Sequence, residues 1–244
     1  MRRSGPAWAV AAISLWGVAC NTHAQWTYPI EPSSLYRATS GASNLTVAVF
    51  PFREERPVTN RAATMWIYLI PGSPFGWITY ERPEAAKMFN TIAEYGFQMD
   101  EDLGKAATRS LEESGLFERV YFTLGGETEE ADLILRGTAR RTLYRGTLIT
   151  YGLSAYGPLL WLAGLPAGIS KNQLELQLSL QDRANRELWS GTYGGATSIT
   201  QGLYYNFGND ALNFAVLTQE ALNDAIRDLE HRLPDIALAL NASE

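Results

Sequence analysis

Between Gln173 and Leu180 the chain alternates without a break: Gln173, Glu175, Gln177 and Ser179 are polar, while Leu174, Leu176, Leu178 and Leu180 are apolar. Successive side chains of a strand point to opposite faces, so this run fits a strand with one dry face and one wet face. Asp182-Arg183-Ala184-Asn185-Arg186 supplies a turn. Leu188 to Tyr193 returns as a second strand. The chain is therefore committed to an antiparallel hairpin whose leucine face needs a cover.

Other segments supply that cover and more sheet. Leu45 to Phe50 is short, β-branched and apolar, as a buried strand is. Asp100 to Ser114 places Leu103, Ala106, Ala107, Ser110 and Leu111 on one helical face, with acids in its first turn and Gly115 as its stop. Strands are expected at Arg119 to Leu124 and at Asp132 to about Tyr144. A last helix is expected from about Asn209 to Arg232, where Phe214, Leu217, Ala221, Leu222, Ala225, Ile226 and Leu229 form a stripe and Pro234 ends the run. The predicted order is strand-helix-strand-strand-strand-strand-helix. That is an α+β fold, a mostly antiparallel sheet with helices packed against it. Ala86, Phe89, Ile92 and Ala93 suggest a further helix after Pro83.

The N-terminus has a different logic. Arg2 and Arg3 precede an uncharged run from Ala7 to Ala19, shorter than the roughly 20 apolar residues of a spanning helix. Residues 1–19 read as a signal peptide, followed by Cys20, the one cysteine of the chain. Gly17-Val18-Ala19-Cys20 resembles the lipobox of bacterial lipoproteins, with Gly17 where that family usually has Leu. The resemblance implies diacylglycerol on the Cys20 thiol and cleavage before it. Ordinary cleavage near Ala19 or Ala24 is the competing reading; the position of a lone cysteine favours acylation. Residues 20–43 are polar and proline- and serine-bearing, and read as a lipid-anchored tether. Residues 44–244 then form one domain, with apolar insertions at about 58–98 and 146–170.

Composition excludes several functions. Removing Arg2 and Arg3 from the 20 Lys and Arg leaves 18 against 26 Asp and Glu, which moves net charge from −6 to −8. Such a chain is not built to hold nucleic acid or an anionic membrane surface by charge, so any membrane contact is expected through lipid or apolar side chains. His23 and His231 are the two histidines, and Cys20 is the one thiol. No Ser-His-Asp or Cys-His machine can be assembled in the central domain, and no zinc site of the usual Cys/His kind. No cofactor is expected. Asn-x-Ser/Thr triplets at Asn44 and Asn241 matter only in a eukaryotic secretory pathway.

Four stretches taken in order resemble a group of envelope lipoproteins. They are Val47-Ala48-Val49-Phe50-Pro51-Phe52 with Glu55-Arg56, Leu111 to Val120, Ala131 to Gly137, and Leu178 to Asp182 with Glu187 to Gly191. The group includes the curli secretion channel lipoprotein (CsgG), the Pel polysaccharide export lipoprotein (PelC) and lipoprotein activators of penicillin-binding proteins. The resemblance spans about residues 45–193. It implies a non-catalytic lipoprotein of assembly, export or regulation, often a homo-oligomer, on the outer membrane and facing the periplasm. Residues 58–98 and 146–170 depart from the group. Fold does not fix function, and a carrier for a lipid or other hydrophobic ligand is the alternative.

The main candidate site is the stretch Gly146 to Ser170, which has no charge between Arg145 and Lys171. Its five glycines and two prolines argue against one spanning helix. Tyr156, Leu159, Leu160, Trp161, Leu162 and Leu165 are its candidate contact residues; the alternative is a long connection folded onto the core. A second aromatic surface is expected from Trp66 to Ile70 and Phe75 to Tyr80, with Trp66 and Trp77 at its centre. Asp100, Glu101 and Asp102 could in principle hold calcium or move protons, although the helix dipole explains them more simply. Arg136, Arg140, Arg141 and Arg145 form a basic strip that could bind an acidic polymer or a lipid head group, although a solvated face is the simpler reading.

Overall fold

The computed structural model describes residues 23–58, 60–61, 70–85, 94–125, 128–209 and 212–241. The strands are β1 (His23–Gln25), β2 (Ser43–Val49), β3 (Arg53–Glu54), β4 (Asn60–Arg61), β5 (Phe75–Tyr80), β6 (Glu94–Gly96), β7 (Phe117–Phe122), β8 (Leu133–Ile149), β9 (Gly168–Asp182) and β10 (Glu187–Gln201). The helices are α1 (Met99–Ser114), α2 (Pro158–Leu162) and α3 (Leu212–Asn241). The main sheet runs β10-β9-β8-β2-β7 and is open. β8 is its spine. One side of β8 pairs with β9 for most of its length, antiparallel; the other takes β2 and β3 in parallel and then β5 antiparallel. The expected order of seven elements is present as β2, α1, β7, β8, β9, β10 and α3.

The leucines of β9 do what their alternation requires. Leu174, Leu176, Leu178 and Leu180 are buried with Leu133, Leu135 and Trp189 beneath α1 and α3. α1 contributes Leu103, Ala106, Ala107 and Leu111, and α3 contributes Phe214, Leu217, Leu222, Ile226 and Leu229. Each large side chain so buried contributes about 1.5–3 kcal/mol. Gly115, at φ 68°, takes the left-handed position that ends α1. Gly137 lies under the Phe52 ring, where a Cβ would sit 2.3 Å from ring carbon.

Three features differ from the expectations. α3 does not stop at Pro234; it continues to Asn241. Ile236 is buried beyond the proline, and Arg186 donates to the Ala239 carbonyl at 3.0 Å, so packing offsets the missing helix hydrogen bond. β8, β9 and β10 extend further than expected, so residues 146–149 and 168–170 belong to the main sheet. The supposed tether is packed on the body from Trp26 onward. Trp26 stacks near Tyr28 and Phe97, and Leu35 is buried. Gln219 accepts from the Ile30 and Glu31 amides, and Asn223 accepts from that of Tyr36 at 2.9 Å. The helix expected around residues 86–93 and Cys20 itself lie outside the described residues.

Candidate functional site

β8 overruns the helix-covered core at its C-terminal end, and parts of three uncharged stretches meet there. They are residues 70–80, 146–170 and 200–209. Among the described parts of these, Thr150 donates its amide to Pro74 at 2.8 Å and its hydroxyl to Ser73 at 2.6 Å. The Gly72 amide reaches the Gly152 carbonyl at 3.0 Å. Ala167 donates to Gln201 at 2.7 Å, and the Tyr204 hydroxyl to Leu162 at 2.9 Å. The three stretches are thus one structural unit, here termed the tip.

Sequence dictates its shape locally. Pro158 opens α2 at a position that lacks a helical partner in any case, and Gly164, at φ 92°, lets the chain leave it. Trp161 donates its Nε1 proton to the Ile149 carbonyl at 2.8 Å, pinning α2 over the end of β8. Tyr151 donates to Pro166 at 2.8 Å. Leu160 and Trp161 are half-buried and hold the tip together. Leu159 and Leu162 stand out at 61% and 60% exposure and Tyr156 at 72%, with Leu165 and Leu153 also exposed. Trp77 lies on β5 beside this surface, exposed, and Phe75 with it. Trp66 lies outside the described residues. The candidate contact residues therefore divide into an outward set and an internal set, which sequence spacing did not separate.

Sequence reasoning missed Leu203, Tyr204, Tyr205 and Phe207, which add exposed apolar surface to the tip. The signal was available: no charge occurs between Glu187 and Asp210.

Away from the tip, charged groups have local structural work. Asp102 accepts the Gln98 amide at 2.7 Å, and Glu101 pairs with Lys105 at 2.6 Å. Burial raises the Asp102 carboxyl above its usual range, with the Gln98 amide opposing. The acidic cluster thus serves the start of α1, and no group of three metal-ligating side chains occurs among the described residues. Arg136 donates to Gln181 at 3.1 Å and lies over the Phe50 ring, and Arg140 donates to Gln177. Hydrogen bonds from Tyr193 and Trp189 hold the Asp228 carboxylate below its usual range and tie α3 to β10. Arg56 is buried between Glu54 and Glu84, both 2.6 Å from its Nη2, and donates to Thr142 at 2.7 Å.

No family model and no curated protein matches the chain. Among solved structures, it is similar to a Xanthomonas campestris protein of family DUF330, at TM-score 0.45 and 12% identity, over 89% of this chain and 99% of that one. It is similar to a dodecameric PelC variant from Paraburkholderia phytofirmans at TM-score 0.34 and 13% identity, over 76% and 92% of the two chains. A minor lipoprotein from Acinetobacter baumannii matches at TM-score 0.27 and 9% identity, over 78% and 91%. Of the groups the sequence resembles, the Pel lipoprotein recurs here; none of these three is named as a curli channel or a penicillin-binding-protein activator. Likeness at this level does not assign a role.

Proposed function

We propose that this protein is a non-catalytic cell-envelope lipoprotein, held through lipid on Cys20 and acting in assembly, export or regulation by contact through the tip. The observation that carries this reading is the convergence of three uncharged stretches on one exposed end of the sheet. Contiguous exposed apolar surface on a folded domain marks a contact site. No described helix is long and apolar enough to cross a membrane, so the lipidated Cys20 is the anchor in this reading. The membrane in question is the outer membrane, with the domain facing the periplasm. Self-association is the expected mode of assembly.

The carrier reading needs a lined pocket. The apolar cavity between α1, α3 and the sheet, lined by Leu111, Leu135, Trp189 and Ile226 among others, holds about 10 Å³, room for about one water. Two clefts among the described residues are larger, about 390 Å³ beside Trp26, Tyr28, Lys105 and Arg109 and about 320 Å³ beside Arg141, Glu175 and Tyr193, but both are open and bear charged side chains.

Metabolic labelling with a fatty-acid analogue tests the anchor. The wild-type chain takes up label and fractionates with the envelope, and Cys20→Ser does neither. Equal labelling of the variant would overturn the assignment of Cys20.

A further inference from the structure

The sheet face opposite the helices is ordered in layers as it approaches the tip. Strand register places Thr79, Arg145, Lys171 and Ser198 in one row across β5, β8, β9 and β10. Two residues further along, Trp77, Thr147, Ile169 and Thr200 form the next row, and Phe75 and Ile149 the last. Alternation puts these on one face. The order is a row with two cations, then Trp77 and Ile169 with two threonines, then Phe75 and Ile149, and beyond it stand Leu159, Leu162 and Tyr156. From Arg145 to Ile149 is four residues, about 13 Å of strand.

The cationic row is unexplained by the fold. Arg145 and Lys171 are direct cross-strand partners and both exposed. Like charges opposed in this way are destabilising. Neither makes an ion pair with a described residue, although the chain as a whole is acidic at −6. Glu175 faces Arg141, two rows back from the pair. Two unanswered cations behind an uncharged, aromatic end form the complement of a bilayer surface, with anionic headgroups outside and hydrocarbon within. Leu159 and Leu162 of α2 protrude, as insertion into lipid requires.

We propose that the tip inserts into a lipid bilayer bearing anionic headgroups, with Leu159, Leu162 and the tip aromatics among the acyl chains and Arg145 and Lys171 against lipid phosphates. The inference rests on reading the tip as the contact surface and names what it contacts.

The test uses the chain from residue 20, which contains every described element, with Cys20→Ser so that no acyl group binds. It is floated with vesicles of phosphatidylethanolamine and phosphatidylglycerol, and with vesicles of phosphatidylcholine alone. The expected result is flotation with both, stronger on the anionic vesicles and weakened by salt. Leu159→Ser with Leu162→Ser abolishes flotation on both. Arg145→Gln with Lys171→Gln lowers partition on anionic vesicles about 30-fold and leaves phosphatidylcholine unchanged, since each cation near such a surface contributes about a fivefold factor. Thermal melting confirms that each variant folds. Parent protein that stays in solution overturns the inference, as does flotation indifferent to both pairs of substitutions. If the parent does not float but the leucine variant loses self-association by sedimentation, the tip is a protein contact and only the lipid assignment fails. If neither measurement moves, the contact reading of the tip fails with it.

Discussion

The packing of the N-terminal segment hinges on Glu230, and its removal has a calculable effect. Glu230 lies on α3, buried, and its two oxygens accept four protons from the N-terminal segment. Tyr36 donates at 2.6 Å, the Thr39 amide at 2.8 Å, the Thr39 hydroxyl at 2.9 Å and the Ser40 amide at 2.7 Å. These bonds, that of Tyr36 foremost, hold the carboxyl at about 2, against an ordinary 4.5. A hydrogen bond to a charged group has a net value of about 1.5–3 kcal/mol. Thr39 and Ser40 are exposed, so water recovers part of the loss on Glu230→Ala, and about 3 kcal/mol is expected in total. For a domain of this size that lowers the melting temperature by about 6–12 °C. The pH dependence has a definite sign. A carboxylate whose value is depressed in the fold stabilises it fully above its ordinary 4.5, and that contribution is lost as pH falls toward 2. Glu230→Gln should therefore melt below the parent at pH 7 and level with it near pH 2. Melting curves of the three proteins at pH 7, 4 and 2 provide the measurement. Equal melting of Glu230→Ala and parent at pH 7, or a Glu230→Gln gap that does not narrow with acid, would refute the reasoning.

Further outcomes follow from the same contacts. A chain starting at residue 44 should melt well below one starting at residue 23, since it loses the Trp26, Leu35 and Tyr36 contacts as well. Arg56→Met leaves Glu54 and Glu84 facing each other without their cation and should cost about 3–5 kcal/mol, read as a lower melting temperature; an unchanged melt would show that the pair is solvated. Pro234→Ala restores a backbone donor inside α3 and should raise the melting temperature, by about 1 kcal/mol or more in stability; a fall would show that the proline geometry is needed for packing of Ile236.

What was legible in the sequence was what has a period. The leucines of β9 and the stripes of α1 and α3 announce themselves because one face of each is buried against a single layer, and the order of elements follows from them. What was illegible depends on single side chains far apart in the chain. The N-terminal segment shows no apolar period because Gln219, Asn223 and Glu230 hold it one hydrogen bond at a time, from about 190 residues away. The ends of β8 and β9 were hidden for another reason. On their inner face Leu174 gives way to Asn172 and Ser170, both buried, so the alternation of apolar and polar residues fades while the strand continues. Pro234 signals a stop because helix propensity is local, whereas the burial of Ile236 is not. At the tip, absence of charge drew attention to 146–170, but spacing could not tell the outward Leu159 and Leu162 from the inward Leu160 and Trp161. Leu203 to Phe207 joined that surface only through the hydrogen bonds that bring residues 200–207 beside α2.

The central claim is that the protein works by contact through the tip. Site-specific photo-crosslinking in intact cells tests it most directly, with a benzophenone amino acid placed at position 159 on the tip or at position 190 on the exposed part of β10. The account predicts envelope-associated crosslinked products from position 159, to lipid or to protein, and few from position 190. Equal or absent products from the two positions would contradict it.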